Sequence, residues 1–431
     1  MKNLLIILSI IFFITINTKC QSAEILINSY NIKVSFFKSI PELKIKLVCD
    51  FQFKKNSETV LFILNDKCTI NSIKLDSGID WKNLQFSFIG EDSLSVILNE
   101  NLSATKKHIL VFDYSFPTGL YDDTSLVIDR GDRWYPLIMD QIVPFKLTCR
   151  VSKEMKVIAA GNLAEEKIEA DTAVYTWESV QPVFKLPLIV FNPLRYKGSN
   201  YNNLVLYTFL EDSINTSLIL NQASDAVNYF DSILGKLPFK NITIFETRDF
   251  NGVNIGSGLL MVGTQSLNAI VQGYSDLIIM PLAAEWFGAG VFSKYIEPGF
   301  FFLNISLPHY LRLMYIRYSL GDEAFNKSLM QLMDNYKEFA GKENDIPIID
   351  IDFPNTKEKG LVIYAKGPYI LSKLETAMGK TTWMDFIHNL YYSYQGKILS
   401  YEKFKEMLSH YDKNGRVLID FNKMMSEKGL P

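Results

Sequence analysis

MPLAAEWFGAG, Met280 to Gly290, and FFLNISLPHY, Phe301 to Tyr310, are the stretches on which the reading of this chain turns. An apolar run, Leu277 to Met280, leads into Leu282, Ala283, Ala284, Trp286 and Phe287. Leu277, Met280, Ala284 and Phe287 recur at helical spacing, so a buried helix is expected here, ending near Gly288 and Gly290. Phe301 to Tyr310 opens a second helix, with Leu307, Leu311 and Met314 on one face. Pro281 interrupts the first pattern; inside a helix it costs about 3 kcal/mol or more. Either the helix starts at Pro281 or it persists with a kink, and the unbroken spacing favours the second. Ser275 or Asp276 would cap such a helix.

The pair resembles the core of the gluzincin zinc aminopeptidases, the family of aminopeptidase N and leukotriene-A hydrolase. That family reads H-E-L-A-H-Q-W-F-G, then W-L-N-E-G-F-A-x-Y. Met280, Pro281, Leu282, Ala283 and Ala284 stand where the family has H-E-L-A-H, and Glu285, Trp286, Phe287 and Gly288 where it has Q-W-F-G. Phe302 to Tyr310 matches the second motif, with Ile305 at its glutamate. The resemblance thus places Met280 and Ala284 at the zinc histidines, Ile305 at the third ligand and Pro281 at the general base. A hydrolytic zinc needs three N or O ligands and a bound water whose proton a carboxylate removes. Ala284 and Ile305 have no donor atom, a Met thioether suits Cu(I), and Pro281 accepts no proton. The interval from Ala284 to Ile305 is longer than the family's, so a local insertion is expected.

Other segments follow the same order. Gly252 to Gly256 occupies the family's G-x-M-E-N, so the glutamate that would hold a substrate's α-amine is Ile255, with Asn254 beside it; Gly258, Leu259 and Leu260 continue the strand. Tyr364, Lys366 and Gly367 match a Y-x-K-G-A segment whose tyrosine binds the oxyanion in the family. Trp134-Tyr135-Pro136 matches a W-Y-P in the family's first domain, and Tyr401 to Pro431 its closing helices. The resemblance implies an α+β fold of two domains: an antiparallel β-saddle over residues 24–197, then a thermolysin-like, mainly helical peptidase domain over 204–431. Alternating runs such as LKIKLVCDFQF and HILVFDYSF support the first, with Asn65-Asp66, Gly78 and Asn99-Glu100-Asn101 as turn signals. GSNYNN, residues 198–203, is the expected junction.

Residues 1–20 read as a secretory signal peptide, with Lys2 ahead of the apolar core LLIILSIIFFITI. An extracytoplasmic location follows, secreted or periplasmic. Cys20 offers a lipid anchor as the alternative, which Lys19 disfavours. No later stretch reads as a transmembrane helix. At 48% hydrophobic and 21% charged, with a net charge of −3, the chain is globular and has no basic balance for nucleic acid. Cys49, Cys68 and Cys149 read as buried small hydrophobes, with a Cys49–Cys68 disulfide as the alternative in an oxidising compartment.

Glu285, His309, Tyr364 and Asn254 are the candidate cleft residues. Glu285 is a carboxylate displaced into the cleft or a structural one with a local partner, and the second is preferred. His309 lies one helical turn past Ile305 and reads as a satisfied structural histidine rather than a metal ligand. Tyr364 is a cleft donor or a half-buried aromatic. With the zinc expected lost, no cofactor is expected. The expected function is that of a pseudoenzyme: a secreted aminopeptidase-like protein that binds a peptide or protein in the retained cleft. The alternative is a peptide hydrolase of the aminopeptidase N type with a site rebuilt from Glu285, His309 and Tyr364; a structural role in an extracytoplasmic assembly is a third reading.

Overall fold

The computed structural model describes residues 25–54, 57–76, 80–102, 106–119, 123–352 and 356–430. The expected signal peptide, Cys20 and Gly78 lie outside them. The first domain is built on an eight-stranded sheet. Its strands run in the order Asn162–Glu169, Thr172–Glu178, Phe145–Ser152, Ile25–Ser35, Glu42–Phe53, Lys107–Pro117, Thr69–Asp76 and Trp81–Asn83. All neighbours are antiparallel except Ile25–Ser35 and Phe145–Ser152, which pair parallel. Alternation makes one face of the sheet apolar: Leu43, Ile45, Leu47, Cys49, Phe51 and Phe53 are buried, while Lys44 and Lys46 between them are exposed. Two three-stranded sheets cover it. Trp134-Tyr135-Pro136 is pinned beneath it: the Tyr114 hydroxyl donates to the Trp134 carbonyl at 3.0 Å, Tyr30 to Pro136 at 2.6 Å, and Trp134 Nε1 to Leu186 at 3.1 Å. Cys49, Cys68 and Cys149 are all free and buried, so the disulfide alternative is not realised.

Two expected loops are strands. Asn99 to Asn101 belongs to the strand Ser93–Leu102, at the point where its pairing with Ser57–Ile63 jumps from Ile97–Thr59 to Leu102–Ser57. GSNYNN is not a linker either. Tyr196–Tyr201 pairs with Leu204–Phe209 through a two-residue turn, Asn202-Asn203, with Asn202 at φ 54°. This hairpin is the outer edge of the second domain's sheet, and its exposed, polar strand has the composition of a loop.

The second domain holds a five-stranded sheet in the order Tyr196–Tyr201, Leu204–Phe209, Ile242–Thr247, Leu259–Gly263, Val253–Ile255. Its three central strands are parallel, and Val253–Ile255 is the far edge. The stretch expected as one strand after Gly252 is therefore a hairpin that turns at Gly256 to Gly258. The helices are α1 (Thr216–Leu234), α2 (Thr264–Val271), α3 (Asp276–Ala283), α4 (Leu307–Leu320), α5 (Asp322–Lys337), α6 (Lys357–Leu361), α7 (Gly367–Met378), α8 (Lys380–Tyr394), α9 (Tyr401–Ser409) and α10 (Arg416–Ser426). Every residue from Leu307 to Tyr315 is buried, which makes α4 the central helix of the bundle. Asp140 joins the domains by accepting the amides of Tyr295 at 2.7 Å and Ile296 at 3.3 Å.

The carboxyl-terminal segment is anchored on one group. Asp345 is fully buried and accepts the Tyr336 hydroxyl at 2.9 Å and the amides of Gly341 at 2.7 Å and Gly429 at 2.6 Å. Asp345→Asn turns a donor toward these donors and should cost about 2–3 kcal/mol. The check is the urea midpoint; an unchanged midpoint would remove Asp345 as the anchor.

Candidate functional site

Helix α3 runs through Pro281 rather than starting at it. Proline has no N–H, so the Leu277 carbonyl loses its partner within the helix; Ala284 N still donates to Met280 at 3.0 Å. The helix ends at Ala283, short of the glycines, and tight turns take over, with Glu285 N to Leu282 O at 3.0 Å and Trp286 N to Ala283 O at 3.1 Å. Gly290 permits the fold-back: a Cβ there would lie 2.6 Å from the Glu285 carbonyl. Ser275 stands at the N-cap position, where its carbonyl accepts from Ile279 at 3.0 Å but its side chain makes no cap bond; Asp276 pairs with Arg312, a cation buried on α4.

The second motif is not an ordinary helix start. Phe302–Ser306 forms a π-helical turn that leads into α4, and Val362–Lys366 forms another between α6 and α7. The two meet where the Ser306 hydroxyl donates to the Ile363 carbonyl at 2.6 Å. A Cβ on Gly367 would lie 2.0 Å from that Ser306 oxygen, so the Y-x-K-G glycine is a close-approach residue. Ile305 and Tyr364 each sit within a π turn, half-buried. π turns are wider than α turns and recur at functional sites.

Tyr364 and His309 are neighbours. Their rings pack edge to face with centroids 5.7 Å apart, and the Tyr364 carbonyl accepts from His309. Burial, and then the Arg312 charge, hold His309 well below its ordinary pKa, so it is neutral. Its Nδ1 has no hydrogen-bond partner. Desolvation pushes the Tyr364 hydroxyl up to about 12, which keeps it a neutral donor. Glu285 does not join them. It is fully buried; its Oε2 accepts the Gly258 amide at 2.8 Å and its Oε1 has no partner. Burial raises its carboxyl to about 8, opposed by the Gly258 bond and by the Lys185 charge. Glu285 therefore clamps the turn of the hairpin that carries the edge strand. Asn254 donates across the domain boundary to Asp129, and Ile255 is half-buried beside it. Asp129, Lys185 and Ser306 were missed in the sequence reading, because each acts through a partner distant along the chain.

Zinc does not fit this donor set. Met280 is half-buried and Ala284 and Pro281 are buried, and none of them, nor Ile305, offers nitrogen or carboxylate oxygen. Among the described residues no group of three or more His, Cys, Asp or Glu side chains could hold a metal ion. No reaction step through a metal follows from these residues.

No protein-family profile and no curated protein matches the sequence. Solved structures do match. An M1 zinc metallopeptidase from Deinococcus radiodurans superposes with a TM-score of 0.73 at 12% identity over 95% of each chain. A mutant of that enzyme bound to a Tyr-Ser-Ala substrate gives 0.74, again at 12% identity over 95% of each chain. Native yeast LTA4 hydrolase gives 0.76 at 14% identity, over 95% of this chain and 69% of that one. With a sheet-rich first domain and a second domain of helices around a five-stranded sheet, this chain has the two-domain fold of the M1 zinc metallopeptidases.

Proposed function

We propose that this chain is an exported protein that binds an extended peptide in the cleft of an aminopeptidase fold and does not hydrolyse it. The observation that carries the reading is the pattern of replacement. All four reacting positions, Met280, Pro281, Ala284 and Ile305, have lost their chemistry, while Leu282, Ala283, Trp286 and Phe287 remain as buried packing. A framework whose packing positions are kept while its ligand and base positions are not favours recognition over hydrolysis. Export is proposed from the apolar segment after Lys2.

The edge strand supplies the means of binding. In the hairpin, Gly252 accepts from Gly263 at 2.8 Å and Gly256 donates to Leu259 at 2.8 Å. The alternation of an antiparallel ladder then turns the backbone groups of Val253 and Ile255 outward, away from the sheet. An extended peptide can add there as a further strand, with its side chains against Ile255 and Met280. The Tyr-Ser-Ala complex of the Deinococcus enzyme supports a peptide route through this fold. Ile255 offers no charge to a free α-amine, so internal peptide segments should bind as well as amino termini.

The test is fluorescence anisotropy with a set of labelled ten-residue peptides, alongside turnover of aminoacyl anilides with and without added zinc. Ile255→Pro removes one outward N–H and no ladder bond, so affinity should fall about tenfold, near the loss expected for one hydrogen bond with its partner left unpaired. Turnover should stay at background. A rate abolished by Tyr364→Phe, or no binding across the peptide set, would overturn the reading.

The structural role of Glu285 has its own signature. Its folded pKa of about 8 lies above the usual 4.5. The stability that comes with the protonated form is fully present below pH 4.5 and is lost as pH rises toward 8, because the unfolded chain releases the proton first. Glu285→Gln should abolish that slope, at most about 1.4 kcal/mol per pH unit. The variant should gain on the wild type between pH 5 and pH 8 in chemical denaturation; parallel curves would show that Glu285 ionises normally.

A further inference from the structure

Arg130 belongs to the sheet-rich domain and follows Asp129, the partner of Asn254. It opens the short turn Arg130–Asp132 just before Trp134, and only 7% of its surface is exposed. Its guanidinium lies 3.3 Å over the ring of Phe184. Phe184 in turn stacks on Phe292 of the second domain, with centroids 3.9 Å apart and planes at 24°. The stack covers one face of the cation and leaves its edge to be satisfied. Nη1 is buried and has no hydrogen-bond partner.

That edge borders a cavity of about 20 Å³, lined by Tyr30, Tyr135, Leu137 and Gln141 among others. The polar groups of the lining are partly committed. Tyr30 donates to Pro136 at 2.6 Å, and Gln141 is bonded at both ends, to Ile25 O at 2.8 Å and Ile27 N at 2.9 Å. The carboxylates that Arg130 senses are committed too. Asp140 holds the amides of Tyr295 and Ile296, and Asp129 holds Asn254 and the Gly131 amide. Neither forms an ion pair with Arg130 among the described residues. Burial without such a pair drags the guanidinium down to about 10.

A buried cation needs both a partner for its N–H and an opposing charge in contact with it. Asp140 and Asp129 act on Arg130 only from beyond ion-pair distance, so a water would meet the first need and not the second. We propose that Arg130 and this cavity form a binding site for one small monovalent anion of halide size. The volume suits a single occupant about as large as a water. The mixed walls, with Arg130, Tyr30, Tyr135 and Gln141 beside Leu137 and Ile138, suit a weakly hydrated, singly charged ion, whereas phosphate would need more donors than the lining offers. The ion would brace the Arg130–Phe184–Phe292 stack and so strengthen the seat of one domain on the other.

Two measurements on the intact protein decide this. Crystals grown in sodium bromide should show an anomalous peak within hydrogen-bond reach of Arg130 Nη1. In thermal melts at constant ionic strength, replacing gluconate by chloride should raise Tm along a saturable curve, by about 1–2 °C at ten times Kd. Arg130→Leu should abolish the chloride dependence. If that variant does not fold, the bromide map and the wild-type melts still decide. No anomalous peak at Arg130, together with equal Tm in chloride and gluconate, would overturn the proposal.

Discussion

The centre of the helical domain depends on how closely two π turns approach each other. Ser306 and Gly367 meet with no room for a side chain on the glycine, and the Ser306 hydroxyl ties the two backbones by donating to Ile363. That contact sets where Ile305, His309 and Tyr364 project, because each lies within about one turn of it. It also sets the depth at which α4 enters the bundle, and α4 is buried along its first nine residues, Leu307 to Tyr315. The approach of the two turns is therefore a packing constraint on the whole bundle.

The chemistry of the replacements follows from burial. Without a metal, inward-facing histidines and carboxylates would be polar groups with no partner, each at a cost of about 1–3 kcal/mol. Ala284 and Ile305 remove that cost, and Met280 presents a half-buried, flexible apolar chain instead. Pro281 is tolerated because the helix loses one bond and then ends two residues later. His309 is the exception. It stays buried and neutral, with one nitrogen bound to Tyr364 and the other unpartnered.

Much of the fold was legible because it rests on periodicity. The alternation in Glu42–Phe53 marks a half-buried strand, and the break at Gly321 separates α4 from α5 where a left-handed glycine ends one helix. The misreadings share a cause. Tyr196–Tyr201 is a polar edge strand, and the composition of an exposed edge is that of a linker. The π turns carry no local signal, since they arise from the approach of α4 and α7. The candidate residues divide in the same way. His309 and Tyr364 come together because both belong to matched motifs, whereas Glu285 finds its partner at Gly258, a contact that the spacing of the motif could not reveal.

Buried and half-buried polar groups tie the seam between the domains. Asp140 reaches across to Tyr295, Asp129 to Asn254, the Lys185 charge acts on Glu285, and Arg130 is carried by the Phe184–Phe292 stack. Each is buried or half-buried, and each couples a residue of the sheet-rich domain to one of the helical domain. Apolar packing alone is tolerant of small slips between two surfaces, while a hydrogen bond to a buried charge holds over only a few tenths of an ångström. The seam therefore specifies the relative placement of the domains more sharply than its apolar area could. Through the Asn254–Asp129 bond it also holds the edge strand Val253–Ile255 in its place against α3.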